Sequence, residues 1–313
     1  MTRVVCIGEC MVELRATGAN SFARAYSGDV YNTAVYLKRS LPNTLVQFLT
    51  ATGDDAMSGA MRKAWHAEGI DDTLTLTVSG GSPGLYLIEN DARGERRFQY
   101  WRSHSAARQW LTLLRDQDET VLRGADIVYL SGITLAILDP AERRGAIELL
   151  RRLRPHVGRI AFDPNVRLKL WETVQAAEAA LQAALSIADI ALPSTEDAGL
   201  LLRIDDPIAQ ITRLQEFGAR EIALTLGADG CLVADGAVHT RLPAPGVAAI
   251  TDTSGAGDAF NGAYLASRLQ GGSAVEAAQS GLLLGSRVVA HAGAVVPASV
   301  SHPQLSQHGN PSF

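Results

Sequence analysis

The chain of 313 residues is 47% hydrophobic and 19% charged, and 28 Lys plus Arg against 33 Asp plus Glu leave a net charge of −5. That much apolar surface with so little net charge excludes a disordered chain, and the lack of a dense Lys/Arg stripe excludes a general binder of nucleic-acid backbone. No apolar run approaches the roughly 20 residues of a membrane-spanning helix, and the length suits one large α/β domain or two smaller ones.

Three cysteines, Cys6, Cys10 and Cys231, are an odd number without further ligands at zinc spacing. The chain opens on an apolar strand-like run instead of a basic segment with a signal core, so the expectation is a soluble cytoplasmic protein with reduced core thiols.

Apolar, β-branched runs predict strands at Val4–Gly8, Leu45–Thr50, Ile127–Leu130, Arg159–Phe162, Ile187–Leu192, Ile222–Leu226 and Cys231–Ala234. Stretches of helical period between them predict helices at Asn32–Arg39, Asp55–Glu68, Ala141–Leu153, Thr173–Ala184, Thr195–Leu202 and Pro207–Phe217. Gly69 and Gly218 stand where helix C-caps belong. This alternation marks βαβ units and a mainly parallel sheet.

Two segments break the rhythm. Met11–Gly28 and Leu85–Trp101 alternate like strands, with Asp91–Gly94 as a polar turn, and together predict a small antiparallel flap. Strands that leave an α/β sheet must hide their edges, so the flap reads as a lid; a surface hairpin without a role is the plainer alternative. Near the end come a helix at Ala256–Leu269 and another opening on a Ser273–Glu276 capping box, and Ser299–Phe313 reads as a mobile tail.

The densest chemical signal is Asp252-Thr253-Ser254-Gly255-Ala256-Gly257-Asp258-Ala259-Phe260, a small-residue turn feeding a helix. Gly255 and Gly257 let backbone N–H groups approach an anion, which the helix dipole also favours. A carboxylate at Asp258 would repel a phosphate unless it has a task, and the obvious one is taking the proton of an attacking alcohol. The competing reading is a Gly-rich turn whose Asp complements the helix N-terminus. The fragment matches neither the Gly-x-x-x-x-Gly-Lys-Ser/Thr loop nor a dinucleotide fingerprint. His66, His104, His156, His239, His291, His302 and His308 are scattered without a matching nucleophile, against a hydrolase triad.

Asp252–Leu265, DTSGAGDAFNGAYL, resembles the C-terminal signature of the ribokinase-like (PfkB) carbohydrate kinases. Ser27-Gly28-Asp29-Val30-Tyr31-Asn32-Thr33-Ala34 is similar to that family's Gly-Gly-x-x-x-Asn sugar turn, with Gly53-Asp54-Asp55 and Gly59 following. The likeness runs from Val4 to about Pro297. Ile7–Leu14, Ala64-Trp65-His66, Pro83–Tyr86, Tyr100-Trp101-Arg102, Tyr129–Ile133 and Asp163–Arg167 are most like the sugar-acid kinases of that family.

This resemblance implies a three-layer α/β/α sandwich formed as one domain over residues 1–298, with lid strands drawn from about 11–30 and 82–103. It implies ATP, Mg²⁺ and a homodimer paired through the lids or a larger homo-oligomer, and leaves open a monovalent cation such as K⁺ near Asp252. Asp258 becomes the base that activates the terminal hydroxyl of the sugar, and Gly255-Ala256-Gly257 the anion hole. Nucleotide contacts fall to Asn165, Arg167, Ser194, Thr225, Gly227, Gly230, Gly255 and Gly257, and sugar contacts to Gly28, Asp29, Asn32, Tyr86, Tyr100, Arg102 and Arg167. Asp197 would reach the metal through water.

Three departures from the family pattern stand out. Ser27 replaces the first Gly of the sugar turn, Ser194-Thr195-Glu196-Asp197 stands for Asn-x-x-Glu, and Thr225-Leu226-Gly227 replaces a version with Lys or Arg. Arg102 and Arg167 suit a carboxylate, which guanidinium grips at two points, though a sugar phosphate could use the same cations. The alternatives are a fructokinase- or ribokinase-type kinase of a neutral sugar and a non-catalytic sensor of the same fold.

Overall fold

In the computed structural model, residues 2–18, 20–90, 96–114 and 116–301 are described. Eight strands form the main sheet in the order Val238–Leu242, Cys231–Asp235, Glu221–Thr225, Ile190–Ala191, Arg159–Asp163, Ile127–Ser131, Arg3–Ile7 and Leu45–Leu49. From Glu221–Thr225 to Leu45–Leu49 every pairing is parallel, and the first two strands join antiparallel. The central strands are apolar throughout because both faces are covered, as parallel sheets require.

Alternate residues of one strand serve separate cores. Val5 and Ile7 pack with Leu149 and Leu181 from the helices Pro140–Leu153 and Val174–Leu185. Val4 and Cys6 pack on the other side with Val35, Tyr264 and Ala277 from the helices Asp29–Ser40, Ala256–Leu269 and Ala274–Val288. The expected α/β/α layering follows from this two-residue alternation. Cys6, Cys10 and Cys231 are buried and unpaired. Among the described residues no helix is long and apolar enough to cross a membrane.

Differences from the sequence expectation have local causes. Ile187–Leu192 contracts to Ile190–Ala191, because Ala188 N–H still bonds back to Ala184 at the end of the preceding helix. The strand Val238–Leu242 was not anticipated; four of its five residues are not buried, so no apolar run marks it. The first helix starts at Asp29 instead of Asn32, which sets Gly28 at its N-cap and Asp29 in its first turn.

The lid is a separate sheet in the order Ser21–Ser27, Met11–Gly18, Leu85–Asn90 and Arg96–Trp101. Its two hairpins are antiparallel, but Met11–Gly18 and Leu85–Asn90 pair parallel, which corrects the all-antiparallel flap. A parallel pair needs a long crossover, and here the core strand Leu45–Leu49 with its flanking helices supplies it. The expected turn Asp91–Gly94 lies outside the described residues.

The ordered chain reaches beyond the expected tail boundary. Ala298–Ser301 is helical, Ser301 is buried, and residues 302–313 lie outside the described residues. Arg39 holds this end in place: its Nη1 donates to Val296 O at 2.7 Å and Ser301 Oγ at 2.8 Å, while Nε and Nη2 grip Glu68 at 2.8 and 2.7 Å. Glu68 keeps contact with water, so Arg39→Ala strands no buried charge there but removes the donor of Val296 O and Ser301 Oγ. It should lower the unfolding free energy by about 1 to 3 kcal/mol, read from urea denaturation.

Candidate active site

The parallel strands end in a cleft of about 850 Å³, within the range of small-molecule sites. One wall is the N-terminus of the helix Ala256–Leu269. Gly255 there has φ 73°, and a Cβ on it would lie 2.2 Å from Ala294 O, so the turn needs glycine on both counts. Asp252 fastens the loop by accepting Ser254 N–H at 2.9 Å and Gly293 N–H at 2.8 Å. Gly255, Gly257 and Asp258 line the cleft. Ala256 does not line it, and its N–H turns back to Thr253 O at 3.3 Å, so the anion-facing donors of this turn are those of its neighbours.

Opposite stands the helix Asp29–Ser40. Asn32, expected to touch sugar, is buried and engaged with protein: Nδ2 donates to Asp258 Oδ2 at 2.8 Å and Ser27 Oγ at 3.2 Å, and Oδ1 accepts Gly28 N–H at 3.3 Å. It thereby orients Asp258. Ser27, the departure from the usual glycine, takes part in this contact. Asp29 lines the cleft and accepts Asn165 Nδ2 at 2.7 Å. Asn165 has φ 31°, left-handed for a residue with a side chain, stabilised by its N–H bond to Asp163 Oδ1 at 2.9 Å.

Asp163 was quoted in the sequence only as part of a segment. It is buried at the end of the strand Arg159–Asp163, with Oδ2 accepting Asn261 Nδ2 at 2.9 Å. A carboxylate terminating an apolar strand was the available signal. Burial pushes its carboxyl well above the usual range, and Asp197, Asp29 and Asp258 add to the push. Burial likewise raises Asp258 to about 7, reinforced by Asp29 and opposed by the Asn32 hydrogen bond and Arg167. Asp197 is raised by burial against the pull of Ser194 and Arg167.

Ser194 caps the helix Thr195–Leu202 and donates Oγ–H to Asp197 Oδ2 at 2.8 Å, while Asp197 Oδ1 accepts Val166 N–H at 2.8 Å and lies 3.5 Å from Arg167 Nη1. The shortened motif thus holds its own carboxylate in place. Among the described residues no three His, Cys, Asp or Glu side chains converge on a metal position. Thr225 and Gly227 line the cleft. Gly230 stands behind them: its carbonyl accepts Leu226 N–H at 2.8 Å, and at φ 97° it shapes the turn that presents them.

From the lid, Tyr86 and Tyr100 face the cleft stacked at 5.6 Å, and Phe98 joins them. Arg102 and Arg167 also line it. Arg102 is ion-paired with Glu9, and the Tyr86 hydroxyl donates to Glu13, so two buried carboxylates that sequence reasoning passed over support the lid face. Arg167 is half exposed.

The Asp258 shift sets a stability sign. An unfolded Asp titrates near 3.8 and the folded one near 7, so between these pH values the folded chain keeps a proton that the unfolded chain loses. The associated stability is present below the lower value and lost as pH rises through the upper one. Asp258→Asn should therefore match the wild-type melting temperature near pH 4 and exceed it increasingly toward pH 8, in thermal melts across that range.

The whole chain can now be compared with known proteins. The model of the pfkB family carbohydrate kinases matches residues 1–300. A 2-dehydro-3-deoxygluconokinase from Escherichia coli (strain K12) is 39% identical over 303 residues, covering 94% of this chain and 97% of that protein. A 2-dehydro-3-deoxygluconokinase from Haemophilus influenzae is 34% identical over 312 residues, covering 97% and 99%. The crystal structure of aminoimidazole riboside kinase from Salmonella enterica, complexed with aminoimidazole riboside and an ATP analog, is similar with a TM-score of 0.83 at 25% identity over 96% of each chain. With a family match over residues 1–300 and a fold of the same kind, this chain belongs to the pfkB family of carbohydrate kinases.

Proposed function

We propose that this kinase transfers the γ-phosphoryl group of ATP to the terminal hydroxyl of 2-dehydro-3-deoxy-D-gluconate, giving the 6-phosphate. The observation that carries the reading is the 34–39% identity, over nearly the full length, to proteins bearing that activity as their name. Two arginines in the cleft, Arg102 and Arg167, support an anionic acceptor.

In this reading the sugar acid lies between the lid tyrosines and the Gly28–Asp29 turn, with its carboxylate toward Arg102 and Arg167. Asp258 takes the proton of the terminal hydroxyl. The hydroxyl oxygen forms the bond to the γ-phosphorus, the bond from that phosphorus to the β–γ bridging oxygen breaks, and ADP leaves with the electron pair. A carboxyl raised to about 7 is a stronger base than an ordinary aspartate and is still ionised in part at neutral pH. The amides beside Gly255 and Gly257 neutralise the charge spread over the transferring group, which positioning and electrostatics dominate. A magnesium ion brought in with ATP would neutralise phosphate charge, Asp197 would hold it through water, and Thr225, Gly227 and Asn165 would lie along the nucleotide. A potassium ion beside the Asp252 loop belongs to the same reading.

Lid closure would exclude water that competes for ATP. The lid leaves Phe22 and Trp101 half exposed, which supports pairing of two lids in a homodimer. A cytoplasmic location fits the reduced, buried thiols.

A coupled assay of ADP release over sugar acids, neutral sugars and sugar phosphates tests the substrate, with the sugar acid expected to give the highest kcat/KM. Preference for a neutral sugar would overturn the acid assignment, and no turnover on any acceptor would favour a sensor. Asp258→Asn should lower kcat by a factor on the order of 10² to 10⁴ with nucleotide affinity largely kept; wild-type turnover would remove the base. Arg167→Ala should raise KM for the acid more than for a neutral sugar, and an equal rise for both would detach Arg167 from the carboxylate.

A further inference from the structure

The chain passes between the main body of the fold and the lid four times: at residues 8–10, at Gly28, at Ser82–Gly84 and at Arg102–Ser105. Glu9 lies in the first passage, is 2% exposed, and touches the other three. A Cβ on Gly28 would stand 2.1 Å from the Glu9 carbonyl oxygen, and one on Gly84 would stand 2.8 Å from Glu9 Oε1 and 3.2 Å from Arg102 Cβ. Glu9 Oε1 accepts the Ser105 hydroxyl at 2.6 Å, and Oε2 accepts Arg102 Nη2. The passages are also laced to one another, Val12 N–H to Gly84 O at 2.8 Å and Ala106 N–H to Ser82 O at 2.9 Å.

Arg102 is nearly buried and lines the cleft, yet its Nε has no hydrogen-bond partner. A guanidinium has five donors in a rigid fork. Here Glu9 holds it by one corner and sets the direction of the rest. Nε is itself shut off from solvent, so it is the terminal nitrogens of this cleft-lining side chain that a bound carboxylate would meet.

We propose that Glu9 is a positioning residue: through its grip on Arg102 and Ser105 it fixes the lid hinge and the guanidinium together, so that selection of an anionic acceptor and placement of the lid are one mechanical unit. The proposal rests on the reading that Arg102 meets the acceptor's carboxylate. A merely structural Glu9 would affect all acceptors alike, whereas a positioning Glu9 acts only as long as Arg102 is present.

The test is a double-mutant cycle on the full chain with Glu9→Gln, Arg102→Ala and both together. The readouts are kcat and KM for the sugar acid and for a neutral sugar, with melting temperatures to confirm folding. Arg102→Ala and Glu9→Gln should each lower the acid-over-neutral ratio of kcat/KM by about tenfold, mainly through KM, and the double variant should fall no further, as for residues of one network. Trp101, half exposed beside Arg102, should change its fluorescence when the acid binds wild type and less in Glu9→Gln. If Arg102→Ala moves the ratio while Glu9→Gln does not, or if the two losses multiply, Glu9 is not a positioning residue. If Arg102→Ala leaves the ratio unmoved, the carboxylate reading falls and takes this proposal with it. Should Glu9→Gln not fold, Ser105→Ala removes one donor from the same carboxylate and must lower the ratio in the same direction, or the proposal fails.

Discussion

The site depends on how closely the helices Asp29–Ser40 and Ala256–Leu269 approach. Gly262 makes that approach possible, since a Cβ there would meet Leu37 N at 2.7 Å and Thr33 O at 2.8 Å. Side chains at such a contact would hold the helices at the usual 8–10 Å between axes. Only with the backbones this near can Asn32 reach Asp258, 226 residues away in the chain, with a 2.8 Å hydrogen bond. The Gly28–Asp29 turn and the Gly255–Asp258 turn therefore face each other because of a missing side chain several residues below them.

Around that contact the carboxylates Asp29, Asp163, Asp197 and Asp258 crowd one end of the sheet. Asp197, Asp29 and Asp258 raise the proton affinity of Asp163, and Asp29 raises that of Asp258. The fold tolerates this through amides placed against every one: Asn165 on Asp29, Asn261 on Asp163, Asn32 on Asp258 and the Val166 backbone on Asp197. These donors are neutral, so they hold the carboxylates in place without cancelling their charge.

Much of this was legible because the relevant signals are local. The Gly255 to Asp258 turn and the Ser273 capping box could be placed by residue type alone, and both are present as read. What was not legible depends on distant partners. Asn32 read as a ligand contact, since nothing in its neighbourhood reveals that Asp258 occupies its amide. Glu9 and Glu13 carry no assigned role in the sequence, and only the folding of the lid makes them buried acceptors for Arg102 and Tyr86. The parallel seam in the lid escaped for the same reason: alternation gives the strands but not their partners.

That seam has a consequence for how the molecule assembles. A hairpin forms from its own short stretch of chain, but Met11–Gly18 and Leu85–Asn90 meet only after the intervening segment has settled into the main sheet and its helices. The entropy of closing so long a loop must be met before the seam contributes any contacts. The lid sheet is thus expected to form after the core and to open before it, because its hydrophobic cluster of Met11, Tyr86 and Ile88 stands apart from the main core. The order of folding and the mobility that a closing cover needs come from one choice of strand direction.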